Sequence, residues 1–112
     1  MSAGRYNIII DQGSDFSVLF TITEDGSAKN LTGFSARAQM RTTKGASSVS
    51  ATFTCTITSA SEGKLTMSLP AATSSALTAG RYFYDLEIFT SSDATVTRLM
   101  QGEVDLTQEV TR

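Results

Sequence analysis

The sequence predicts an all-β fold, a two-sheet β-sandwich of about seven strands with one short helical crossing. Three observations carry this. Apolar and polar residues alternate with a period of two in segments of about six to ten residues. Turn chemistry separates those segments, and only the stretch 70–79 breaks the alternation for longer than a loop. The length of 112 residues fits one domain spanning 1–112, and burying about twenty inward side chains is enough for a core without staples.

The elements follow in order. Arg5–Ile10 reads as a strand with Tyr6, Ile8 and Ile10 on one side. Asp15–Thr23 sets Phe16, Val18, Phe20 and Ile22 against Ser17, Leu19, Thr21 and Thr23, the pattern of a strand with one face on a core. Glu24-Asp25-Gly26-Ser27 is a tight turn. Phe34–Thr42 alternates Phe34, Ala36, Ala38 and Met40 with Ser35, Arg37, Gln39 and Arg41; the small alanines imply close packing above them. Thr43–Ser50 has no periodicity and is expected to be a mobile loop. Ala51, Phe53, Cys55 and Ile57 then face inward opposite a row of threonines, and Leu65, Met67 and Leu69 supply the next inward set. Pro70–Ala79, with Pro at a first helical position and Gly80 as a stop, predicts a short helix bridging two sheets. Gly80–Thr90 is the strongest strand, with Tyr82, Tyr84, Leu86 and Ile88 inward and Phe83, Asp85, Glu87 and Phe89 outward. Ser91-Ser92-Asp93-Ala94 makes a turn, and the last strand runs from Thr95 to Thr107 through Val96, Met100, Val104 and Leu106, with Gly102 as a candidate bulge.

Composition narrows the chemistry. There is no His and one Cys, so an imidazole base, an internal disulfide and a Cys/His zinc site are all excluded. A net charge of −2 lacks the electrostatic footprint of a nucleic-acid binder. No apolar run approaches the roughly 20 residues of a membrane span, and the first residues lack a secretory signal, so synthesis in the cytoplasm is expected with no membrane partner. Charged residues are 18% of the chain, whereas 17 Thr and 15 Ser build the polar surface from hydroxyls rather than ions.

Several residues are candidates for function. Asp85 and Glu87 lie two apart on one strand face, close enough for an acid and base pair, but no convergent polar cluster accompanies them and a solvated outer face is the plainer reading. Asp11, Asp15, Asp25 and Asp93 sit near turns without the spacing of a calcium loop. Gly13, Gly26, Gly33 and Gly45 are isolated turn residues, so no phosphate loop is present. Cys55 reads as a small core residue. No cofactor or metal is expected, and the chain is expected not to be an enzyme. Apolar bulk on faces that should be wet is the informative anomaly: Phe83 and Phe89, Leu19, and Ile9. Either a sandwich edge, a loop or the helical turn covers them, or they form a protein–protein interface. Arg37 and Arg41 share one outward strand face, where an ordinary solvated edge is the plainer reading and an acidic partner the alternative. Open sandwiches also keep edge strands through which subunits can pair, and a homo-oligomer is expected.

The stretch Leu77-Thr78-Ala79-Gly80-Arg81-Tyr82-Phe83-Tyr84-Asp85-Leu86 resembles the corner of immunoglobulin-like sandwiches, in which a Tyr at the start of a central strand sends its hydroxyl back to preceding backbone; Gly80 and Tyr82 take those places. Tyr84 stands where antibody domains carry their second cysteine, so only the sandwich transfers.

Five stretches in order resemble a family of small virion domains of tailed bacteriophages, in a layout similar to the N-terminal domain of upper baseplate proteins. They are 11–16, 30–41, 63–69, 80–88 and 97–104, including Asn30-Leu31-Thr32-Gly33-Phe34 and Gly80-Arg81-Tyr82-Phe83-Tyr84. The resemblance implies a non-enzymatic virion protein that joins other phage structural proteins without fixing the part of the particle, and the tail or baseplate is the leading expectation. Baseplate examples are the N-terminal part of longer chains, so a capsid decoration protein fits the same likeness. A carbohydrate-binding or adhesion module is the alternative from another class, weakened by the absence of Trp.

Overall fold

The period-two alternation forms strands throughout. The computed structural model describes residues 4–24, 26–90 and 95–110. Its strands are β1 (Gly4–Arg5), β2 (Ile8–Asp11), β3 (Phe16–Thr21), β4 (Thr23–Glu24), β5 (Ser27–Ala28), β6 (Ser35–Arg41), β7 (Ala51–Ser59), β8 (Lys64–Leu69), β9 (Gly80–Phe89) and β10 (Val96–Thr107), and one short helix, α1 (Ala71–Ser75), lies between β8 and β9. The protein is all-β. β4 and β5 form a small hairpin across the expected turn, of which Asp25 lies outside the described residues. The expected turn at 91–94 also lies outside them.

The remaining strands make one curled mixed sheet in the order β1-β10-β9-β6-β7-β8-β3, with β2 also pairing β10. β1 and β2 run parallel to β10, and the other pairs are antiparallel. Strand β7 turns the sheet back on itself. Its first part, Ala51–Phe53, pairs with β6, and Thr54–Ser59 pairs with β8. A nine-residue strand shared in this way brings the apolar side of β8 and β3 onto the apolar side of β9 and β10, so one core forms between them. Leu65, Met67, Leu86, Ile88 and Val104 are fully buried in it, and the Phe53 ring meets both Phe16 of β3 and Tyr84 of β9 at 6.2 Å between centroids.

Three expectations are corrected. The N-terminal strand is interrupted at Tyr6-Asn7 because Asn7 turns its side-chain oxygen onto the Glu103 backbone N–H, and Tyr6, expected inward, is 44% exposed with its ring edge-on to Phe20. The irregularity of β10 falls between Arg98 and Met100, not at Gly102, which pairs with Tyr84 in register. Gly102 is needed for another reason: the Tyr6 carbonyl occupies the place of its missing Cβ. The same irregularity shifts the alternation, so Leu99 is buried and Val96 exposed. The 43–50 segment forms neither strand nor helix, as expected of a loop; its Ser50 N–H donates to the Met40 carbonyl, and its Ala46 carbonyl accepts from Arg41.

A polar cluster fixes the helical crossing. Ser74, fully buried, accepts from Gly13 N–H and donates to the Ser14 carbonyl, Gln12 donates to the Leu77 carbonyl, and the Asp15 carboxylate accepts from Ala71 N–H. The helix is thereby held to the β2–β3 connection. At its exit the Tyr82 hydroxyl donates to the Thr78 carbonyl, closing the corner where Gly80 opens β9. The Tyr84 hydroxyl donates to the Tyr6 carbonyl at 2.6 Å and pins the N-terminal segment to β9.

Candidate interaction face

The outward residues of β6, β9 and β10 form cross-strand rows because the three strands are in register. Arg41, Phe83 and Glu103 make one row, Gln39, Asp85 and Gln101 the next, and Arg37, Glu87 and Arg98 the third; Phe89 lies beyond them opposite Ser35 and Val96. Between the rows runs an open groove of about 500 Å³, lined by Arg37, Gln39, Arg41, Lys44, Phe83, Asp85, Glu87, Arg98 and Gln101. Four of these side chains are cationic and two anionic, against a net charge of −2 for the whole chain.

The charges are arranged in pairs down the middle. Arg37 Nε lies 2.8 Å from Glu87 Oε1, and Arg98 Nε lies 3.4 Å from Asp85 Oδ2. The Asp85 carboxyl is held above its ordinary range, first by burial and then by neighbouring Glu87, against the opposing pull of Arg98, Arg41 and Arg37. Arg41 is bound instead to neutral oxygens, the Ala46 carbonyl and Gln39 Oε1. Arg41 and Lys44 make no ion pair among the described residues. They stand together at the Phe83 end, so the positive charge of the groove is concentrated there.

The two rings on this face are not bare. The Arg37 guanidinium lies over the Phe89 ring at 4.3 Å, and Lys44 Nζ lies 5.9 Å from the centre of the Phe83 ring. Both rings are half-buried and stand outside the core cluster. The structure thus brings Arg37, Arg41, Phe83 and Phe89 onto one face. Ile9, 69% exposed, shares that side of the sheet but lies across β10, opposite Asp105. Leu19, 57% exposed, stands elsewhere, on the outer side of β3 opposite Thr66. Sequence reasoning did not single out Lys44, which sits in an aperiodic segment, or Arg98, whose register depends on the irregularity beside it.

Other candidates have plain settings. Cys55 is half-buried on β7, and burial pushes its thiol up to about 11, the behaviour of an unreactive thiol. No group of three or more His, Cys, Asp or Glu that could hold a metal occurs among the described residues; Asp25 and Asp93 lie outside them. No helix is long and apolar enough to cross a membrane among the described residues.

Comparison with protein families gives no match, and comparison with curated proteins gives none either. Among solved structures, the chain is similar to a family 123 glycoside hydrolase from Clostridium perfringens with a TM-score of 0.46 and 10% identity, over 100% of this chain and 24% of that one. The chain therefore spans about a quarter of the length of that enzyme, and the likeness is too slight to bear on function.

Proposed function

We propose that this chain is a non-catalytic structural protein of a tailed-phage virion, an immunoglobulin-like domain that docks other proteins of the tail or baseplate through the outer face of β6, β9 and β10. The fold part rests on strand order. If β3, β6, β7, β8, β9 and β10 stand for strands B to G of an immunoglobulin domain, then β10-β9-β6 reproduces the order G-F-C and β3-β8-β7 the order B-E-D. The Tyr82 corner lies at the start of the strand standing for F, where such domains carry it. Two features depart from the antibody pattern: Tyr84 replaces the second cysteine, and β2, in the place of strand A, pairs with β10 rather than β3.

The observation that carries the docking role is the face itself. Two aromatic rings and four cations stand outside the core on one sheet face, with Arg41 and Lys44 lacking a carboxylate partner among the described residues. Aromatics and arginines are enriched where proteins meet. Aromatic rings held under cations are poorly placed as a stacking platform, which favours assembly over carbohydrate binding. Catalysis by Asp85 and Glu87 is disfavoured because each carboxylate is engaged by an arginine at the floor of an open groove.

The test is quantitative mass spectrometry of particles produced by the genome that encodes the chain. The proposal requires the protein in purified particles at fixed stoichiometry, roughly a dozen copies or fewer for the tail, with hundreds pointing to capsid decoration instead. Particles that lack it altogether sink the virion reading.

A further inference from the structure

We propose that two copies of this chain associate through β3, edge to edge and antiparallel, with Leu19 on the two-fold axis. The proposal deepens the assembly reading, but its surface is separate from the β6-β9-β10 face. Because β2 pairs with β10, β3 has β8 as its only strand partner among the described residues, and its other edge is open.

The hydrogen-bond phase of that edge follows from the register. Ile22 N–H donates to the Gly63 carbonyl at 2.7 Å, continuing the β3–β8 ladder. In an antiparallel pair hydrogen-bonded residues alternate, so Phe16, Val18 and Phe20 direct their backbone groups to β8. Those of Ser17, Leu19 and Thr21 point to the open edge. This set is symmetric about Leu19. A second β3 placed on the axis sets Leu19 against Leu19 of the other copy and Ser17 against Thr21, and closes about six backbone hydrogen bonds, leaving none of the three residues unpaired.

The side chains agree with the backbone. Leu19 is 57% exposed in the middle of the edge, and its counterpart would cover it. Phe16 and Val18 are packed against the core yet only half-buried, so the second copy completes their shelter from the side. The strand itself carries nothing that blunts this edge. Phe16–Thr21 has no charge, proline or glycine, the devices by which open edges are kept apart. Lys64 is the one charged residue in the neighbouring stretches Thr54–Ser59 and Lys64–Leu69, so two copies meet without like charges opposed at the joint. By contrast β1 and β2, at the other end of the sheet, are short and carry Arg5 and Asp11. A strand pair of this length buries less than the roughly 1,200 Å² of a standing complex, so free dimers form only at high concentration and are reinforced when a particle holds the copies close.

The experiment is sedimentation of the full chain over a wide concentration range, beside Leu19→Lys, Leu19→Pro and the opposite-face variant Arg41→Glu. The expected result is a mass rising from that of the 11.9 kDa chain toward twice it, with association weakened about tenfold or more in both Leu19 variants and unchanged in Arg41→Glu. Proline is informative because the Leu19 N–H takes no part in the β8 ladder; Leu19→Lys gives the same reading if proline disturbs folding, which circular dichroism reports. A wild-type chain that stays monomeric to millimolar concentration overturns the proposal. So does a dimer that survives Leu19→Lys. A dimer lost only in Arg41→Glu overturns it too while leaving the β6-β9-β10 face as the site of assembly.

Discussion

Replacing Phe83 or Phe89 by Asp separates an outer docking face from a hidden core. Full burial of a Phe side chain is worth roughly 1.5–3 kcal/mol, and both rings are half-buried, so each forfeits about 1 kcal/mol. The cation over each ring adds about 0.5 kcal/mol to the loss. The new carboxylate at 83 meets Arg41 and Lys44 favourably and Glu103, its cross-strand neighbour, unfavourably, and these offset one another. Each variant should therefore lose about 1–2 kcal/mol, a fall in melting temperature near 5 °C for a domain of this size. Leu86→Asp provides the contrast, because Leu86 is fully buried on the same strand and a charge placed there should cost more than about 4 kcal/mol and abolish folding. Calorimetric melts of the three variants are the assay. If Phe83→Asp and Phe89→Asp unfold as Leu86→Asp does, the rings belong to the core and the face assignment is wrong.

Glycine placement gives a second, paired prediction. Gly63 has a φ of 72° and a Cβ there would lie 2.5 Å from the Ile22 carbonyl oxygen and 2.8 Å from that of Lys29, so Gly63→Ala should cost more than about 2 kcal/mol by urea unfolding. Gly26→Ala, at φ 82° in open space, should cost only about 1 kcal/mol. Equal costs would refute the close approach of the Ile22 and Lys29 carbonyls to Gly63. Tyr82→Phe removes the bond to Thr78 and should lower stability by about 1 kcal/mol while hydrogen exchange at 78–82 speeds up; unchanged exchange there would show that the corner bond is idle. Burial raises the Cys55 thiol from 9.0 to about 11, so the folded state favours the neutral thiol. Its contribution is therefore complete below pH 9 and is lost as pH rises through 11. Tyr84, raised by burial and then by Tyr6, adds a loss in the same direction. Alkaline stability profiles of wild type and Cys55→Ala should diverge across that window; parallel profiles would contradict the burial of the thiol.

The strands were legible because one face of each is apolar, and the period of two survives in β3, β7, β8 and β9 with more buried and less buried residues alternating. The Tyr82 bond was legible too, since it closes over four residues and depends on local sequence. Pairings between distant strands were not. The parallel match of β2 with β10 and the sharing of β7 between β6 and β8 depend on how the whole sheet closes, and no local pattern encodes either. The site divides in the same way. Phe83, Phe89, Arg37 and Arg41 stood out because they occupy the polar phase of their strands. Their environment is set by register. Arg37 meets Glu87 and covers Phe89 only because β6 and β9 are aligned to the residue, and spacing within either strand says nothing about that alignment.

The most direct measurement is a cryo-microscopy map of the assembled particle at a resolution that places side chains. A neighbouring virion protein should lie over Arg41, Lys44 and Phe83. A map in which that face looks onto solvent, while the chain is held by some other surface, would contradict the docking role assigned to it.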